Sequence, residues 1–88
     1  MKVYVPSSDS IASNYVAYCI EFPINNFIQF HTFRKWCCDN WGLSCEFNFW
    51  IRNQEINNSW AWSTSNQVCV LYVKSEELLF MLIMACGK

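Results

Sequence analysis

Residues 27–52 constrain this chain most, because they carry two hydrophobic periods back to back. At about 100° per residue, Phe27, Phe30, Phe33, Cys37 and Trp41 fall on one side of a helical cylinder, and Gln29, Thr32, Lys35, Asp39 and Asn40 on the other. Pro23 pre-sets the backbone ahead of this stretch, Asn25 or Asn26 is placed to cap the first free amides, and Gly42 supplies a stop beyond the last turn. The pattern predicts one long helix over about residues 25–41. From there Leu43, Cys45, Phe47, Phe49 and Ile51 alternate with Ser44, Glu46, Asn48, Trp50 and Arg52, the period of a half-buried strand. The simplest packing lays the aromatic side of the helix on the apolar face of that strand.

The flanking segments add strands. Residues 2–5 form a short β-branched and aromatic run closed by Pro6, which suits a sheet edge. Residues 7–10 read as a polar turn whose Asp9 can cap a helical turn over residues 11–14. In residues 15–22, Val16, Tyr18, Ile20 and Phe22 lie on one side and Tyr15, Ala17, Cys19 and Glu21 on the other. Their composition favours a strand over the alternative, a helix across residues 9–19. Residues 53–58 read as a hairpin connector, 59–64 as a strand carrying Trp60 and Trp62 on one face, and 63–67 as a second turn. Residues 68–73 are apolar on both faces and predict a central strand.

Two readings compete over residues 75–87. Ser75 as cap, Glu76 and Glu77 in a first turn and Gly87 at the end are helix signals, whereas a strand would pair 79–84 back onto 68–73. The strand is preferred, since it avoids a helix that is apolar all round. Under either reading residues 1–88 form a single α+β domain, with one long helix on one face of a four- to five-stranded, mainly antiparallel sheet.

Composition bears on partners. Hydrophobic residues make up 53% and charged residues 15%, the latter low against an average near ~25%. That is more apolar material than a two-layer domain of this size hides, so either self-association or a bound partner is expected. The run over residues 78–86 has no polar break, and this run or the adjoining strand over 68–73 is the expected contact of a homodimer. A net charge of −1 argues against a broad basic field for duplex nucleic acid. No window reaches the ~18 consecutive apolar residues of a membrane span.

The opening Met-Lys-Val-Tyr-Val-Pro-Ser-Ser lacks the apolar core and cleavage site of a secretory leader, so a cytoplasmic location is expected. The six cysteines are then reduced, with Cys19, Cys37, Cys45 and Cys69 acting as small apolar core residues. Asn57-Asn58-Ser59 matches a glycosylation sequon by chance.

No constellation carries catalysis. Cys37 and Cys38 are adjacent rather than spaced to chelate zinc, and His31 lies seven helical residues, roughly 10 Å, from Cys38. Cys45, on an apolar strand face, would be an unreactive thiol, and two glycines, Gly42 and Gly87, build no phosphate loop. Neither a metal nor a cofactor is expected, and the reading is of a non-enzymatic binding protein.

If residues 53–58 connect a hairpin, Trp50, Trp60 and Trp62 form an exposed pad beside Arg52, with Trp36 separate on the helix. Indoles with Arg are what protein hot spots use. The alternative is a single-stranded RNA binder, or an inhibitor that needs RNA, stacking bases on the same indoles with Arg34 and Lys35 nearby.

In overall character, with its Met-Lys-Val-Tyr-Val-Pro opening, reduced cysteines, many aromatics and single α+β domain, the chain resembles the small accessory early proteins of T-even-type bacteriophages. The resemblance implies stoichiometric binding in the host cytoplasm that inhibits or redirects a host enzyme or a defence component.

Overall fold

In a computed structural model, which describes residues 1–65 and 67–87, the β-branched and aromatic runs form four strands. These are β1 (Lys2–Tyr4), β2 (Tyr18–Pro23), β3 (Trp60–Thr64) and β4 (Val68–Val73), all antiparallel and ordered β1-β2-β4-β3. The expected edge role of the first strand and the central role of 68–73 both hold. In the turn expected over 63–67, Asn66 lies outside the described residues, and the Ser65 N–H donates to the Val68 carbonyl at 2.9 Å.

Side chains alternate across this sheet, so its two faces build two cores. Ile20, Phe22, Trp60, Cys69, Leu71 and Val73 face a helix layer, where Phe30, Phe33 and Cys37 of α1 (Phe27–Trp41) and Leu82 of α3 (Glu76–Cys86) meet them. Phe22 anchors the contact, its ring edge-on to Phe30 and Phe33 at centroid distances of 5.6 and 5.2 Å. Cys19, Ala61 and Val70 on the opposite face are covered by Ala12, Val16, and Phe47 and Trp50 of the short α2 (Phe47–Trp50).

The long helix ends as expected. Gly42, at φ 89° and ψ 166°, takes an extended positive-φ conformation that favours glycine and donates its N–H to the Cys38 carbonyl at 3.1 Å. The start differs, because Asn26 bonds the Gln29 side chain and caps no backbone amide. Ser10 rather than Asp9 caps the 3-10 turn Ile11–Asn14, accepting the Ala12 N–H at 3.1 Å.

Two expectations fail. The strand over 43–52 does not form. Of its supposed core face only Phe47 is buried, and Leu43 is 76% exposed, while Trp50, assigned to the polar face, is fully buried. Phe47 and Trp50 stand three apart, which is a helical spacing, and the Glu46 carboxylate accepts the Asn48 N–H at 2.9 Å to start the turn. Extension survives only in the lead-in, where Glu46 bridges Trp62 in parallel and Ser44 Oγ donates to the Trp60 carbonyl at 2.6 Å. Residues 53–58 accordingly connect a helix to β3, not two hairpin strands.

The preferred strand over 79–84 is also absent, because β4 has no free edge. β2 occupies one side from Val68 to Val73 and β3 the other, so the segment forms α3, with the Ser75 hydroxyl accepting the Leu78 N–H at 3.3 Å. The expected single helix layer therefore holds two helices. Among the described residues, no helix is long and apolar enough to cross a membrane.

Asn57 is the only buried polar side chain among the described residues, and it ties these parts together. Its Nδ2 donates to the carbonyls of Trp41, Gly42 and Leu43 at 2.8, 3.2 and 3.2 Å. Its Oδ1 accepts the N–H groups of Ser59 and Trp60 at 2.8 and 3.2 Å. The Asn57 carbonyl accepts Trp50 Nε1 at 2.6 Å. With the amide so enclosed, the sequon offers no nitrogen for a glycan.

Replacing Asn57 with Ala would remove the side-chain partner of the partly buried Trp41 and Leu43 carbonyls and of the Ser59 and Trp60 amides at once, at a cost of about 3 kcal/mol. Asn57→Asp should cost no less, since it turns a carboxylate oxygen toward three carbonyls. Urea unfolding measures both, and a loss under about 1 kcal/mol for either would show that the knot is dispensable.

Candidate partner-binding surface

The indoles expected to form one pad are separated by the sheet itself. Trp60 and Trp62 point into the helix layer, and Trp50 packs on the opposite face against Tyr15 and Phe47. Trp50 and Trp60 are fully buried, and Trp60 Nε1 donates to the Gly42 carbonyl at 3.0 Å. Trp62 is half-buried beneath Arg34, whose guanidinium carbon lies 5.1 Å from the indole centroid. Arg52 is exposed just beyond α2. A stacking platform of Trp50, Trp60 and Trp62 for RNA or protein is therefore not assembled. The cation nearest Trp62 on α1, Arg34, is already engaged.

Trp36 is placed differently. It is half-buried on α1, edge-on to Trp41 at 5.2 Å, and lines a groove of about 420 Å³ between α1 and α3. His31, Thr32, Lys35 and Asp39 of α1 and Ala85 and Cys86 of α3 complete the walls. At the rim Lys35 Nζ meets Asp39 Oδ2 at 2.8 Å, a solvent-exposed pair across one helical turn, and this bond holds the Lys35 pKa above its ordinary value. Phe27 stacks on His31 at 6.2 Å, one turn before the groove.

Ile28 heads the same stripe. It stands four residues before Thr32 and seven before Lys35 and is 83% exposed. The sequence reading passed over it, although an isoleucine among Thr32, Lys35 and Asp39 is out of place on a solvated helix face. On α3, Phe80, Met81 and Met84 are exposed as well.

A second cavity, about 410 Å³, opens on the other face between β1, the Ile11–Asn14 turn and α2. Tyr4, Cys19, Tyr72 and Phe47 line it, with Phe47 stacked on Tyr72 at 4.1 Å, and no charged side chain does. Burial raises Tyr4 to about 12 and Cys19 to about 11, so both remain protonated at neutral pH. Burial likewise raises Cys37, Cys45, Cys69 and Cys86, which holds each as thiol rather than nucleophilic thiolate. All six cysteines are free, and among the described residues no three His, Cys, Asp or Glu side chains gather to hold a metal ion.

Comparison with protein-family models, with curated proteins and with solved structures gave no match for the chain.

The buried thiols and phenols make stability alkali-sensitive. The folded state holds these protons more tightly than the unfolded chain, so stability is level below the ordinary thiol pKa and is lost as pH rises through it. Thermal melts should show a level Tm up to about pH 9 and a fall toward pH 11. Cys19→Ala should make that fall shallower without moving its onset, because Cys37 and the other raised thiols still lose stability from the ordinary thiol pKa upward. A Tm that stays level over that window would contradict the burial of these groups.

Proposed function

We propose that this chain is a non-enzymatic binding protein of the cytoplasm that modulates a protein partner docked on the outer face of α1. The observation that carries the reading is Ile28, 83% exposed on a helical stripe that leads into the groove walled by Trp36. A fully exposed isoleucine forgoes roughly 1.5–3 kcal/mol of burial, and a neighbouring indole in a concave site supplies the kind of anchor that dominates protein contacts. Thr32 and the Lys35–Asp39 pair provide a polar rim beside these apolar groups.

The charge pattern suits a protein better than a polyanion, since Lys35 is matched by Asp39 and the chain is slightly acidic. The resemblance to small early phage proteins agrees with this mode, in which one copy of the binder occupies and inhibits a host enzyme or defence component.

The test begins with a partner captured by the tagged chain and then purified. Against that partner, Ile28→Glu and Trp36→Ala should each weaken binding by about tenfold or more. Phe49→Glu, at an exposed position of α2 on the opposite side of the sheet, should leave affinity unchanged. Equal affinity of all three variants, with native circular dichroism, would remove α1 from the contact.

A further inference from the structure

The outward face of α3 has no cover within one copy of the chain. Leu82 is its only fully buried residue, whereas Phe80 is 60% and Met84 73% exposed, with Met81 and Ala85 exposed beside them. By helical rotation Glu77, Phe80, Met81 and Met84 share a stripe about 100° wide. Glu77 and Ala85, near its two ends, are roughly 12 Å apart along the axis. We infer that this stripe is a self-association surface, on which α3 helices of two copies pair antiparallel across a two-fold axis near Met81 and bring each copy's Glu77 to the other's Lys35.

Charge selects a second copy as the occupant. The stripe has an exposed acid, Glu77, at its start and finishes at Ala85, which shares the groove with Lys35 and His31 of α1. Antiparallel pairing about the centre of the stripe exchanges its ends, so the acid of one copy arrives beside the cation of the other, and the symmetry makes the contact twice. Asp39 is the one acid lining this end of the groove. Its bond to Lys35 is an exposed one of small value, and the ammonium has further donors to offer. Unbranched Met81 and Met84 adapt to their own images, and the small Ala85 lets the helices approach.

The area is adequate for a modest dimer. Phe80, Met81, Met84 and Ala85 leave on the order of 400 Å² of surface per copy, and two copies with the polar rim reach roughly 1,200 Å², the lower bound of specific interfaces. Lys35 belongs to both surfaces but Ile28 only to the docking face of α1, so Ile28→Glu separates a failure of that docking role from a failure of the pairing.

Light scattering on the full chain over a micromolar concentration series should give twice the 10.4 kDa of one copy at the upper end. Met84→Glu, at a position that packs little in the single copy, should return it to one copy with an unchanged melt, whereas Ile28→Glu should stay dimeric. Glu77→Lys and Lys35→Glu should each weaken the dimer by about tenfold or more, and the two together should restore it. Three results would overturn the inference: a wild type that remains a single copy throughout, a dimer indifferent to Met84→Glu, or charge reversals that do not rescue each other.

Discussion

One carboxamide joins the end of α1 to the start of β3. Asn57 meets the last carbonyls of α1 with its nitrogen and the first amides of β3 with its oxygen, so the helix and strand are held at a fixed distance by one planar group. The same residue's main-chain carbonyl receives the Trp50 indole, which extends the tie through the edge of the sheet to the opposite layer. An apolar residue could fill the space but could not satisfy carbonyls and amides together. The C-terminal end of α1 rests on this junction, and its length on the packing of Phe30 and Phe33 against Phe22.

The second constraint is that the sheet is consumed on both faces. Two cores of an 88-residue chain absorb most of the aromatic content, including Trp50 and Trp60, and among the described residues the sheet stays open beside β1, where Tyr4, Cys19 and Tyr72 line the second cavity. Surplus apolar surface lies on the outsides of the helices, as Ile28 on α1 and as Phe80, Met81 and Met84 on α3, and in connecting segments, as Val5 and Leu43. Large side chains left in water cost burial energy that a chain of this size can scarcely spare.

The buried thiols follow from the same economy of space. Cys19, Cys37 and Cys69 are buried among the apolar side chains of the two cores, where a thiol serves as a small apolar residue. Their raised pKa values are the electrostatic signature of that role and argue against reactivity.

Local pattern determined α1, β3, β4 and the edge position of β1, because each has a single period, a stop at Gly42 or Pro6, or apolar residues on both faces, whereas the strand expected over 15–22 forms only from Tyr18, as β2. It also determined that 78–86 is apolar beyond what one copy buries. Residues 43–52 carried two periods at once, the alternation from Leu43 to Ile51 and the three-residue spacing of Phe47 and Trp50. The choice was made by Tyr72 and Tyr15, distant in sequence, which receive the second pair. The strand or helix fate of 76–86 was settled by occupancy, since a central strand with both edges paired accepts no further neighbour. Which side of the sheet each indole faces followed from those two outcomes, because reading one segment as strand or helix turns its side chains to different faces. Burial depends on contacts between segments far apart in the chain, and a periodicity read within one segment does not contain them.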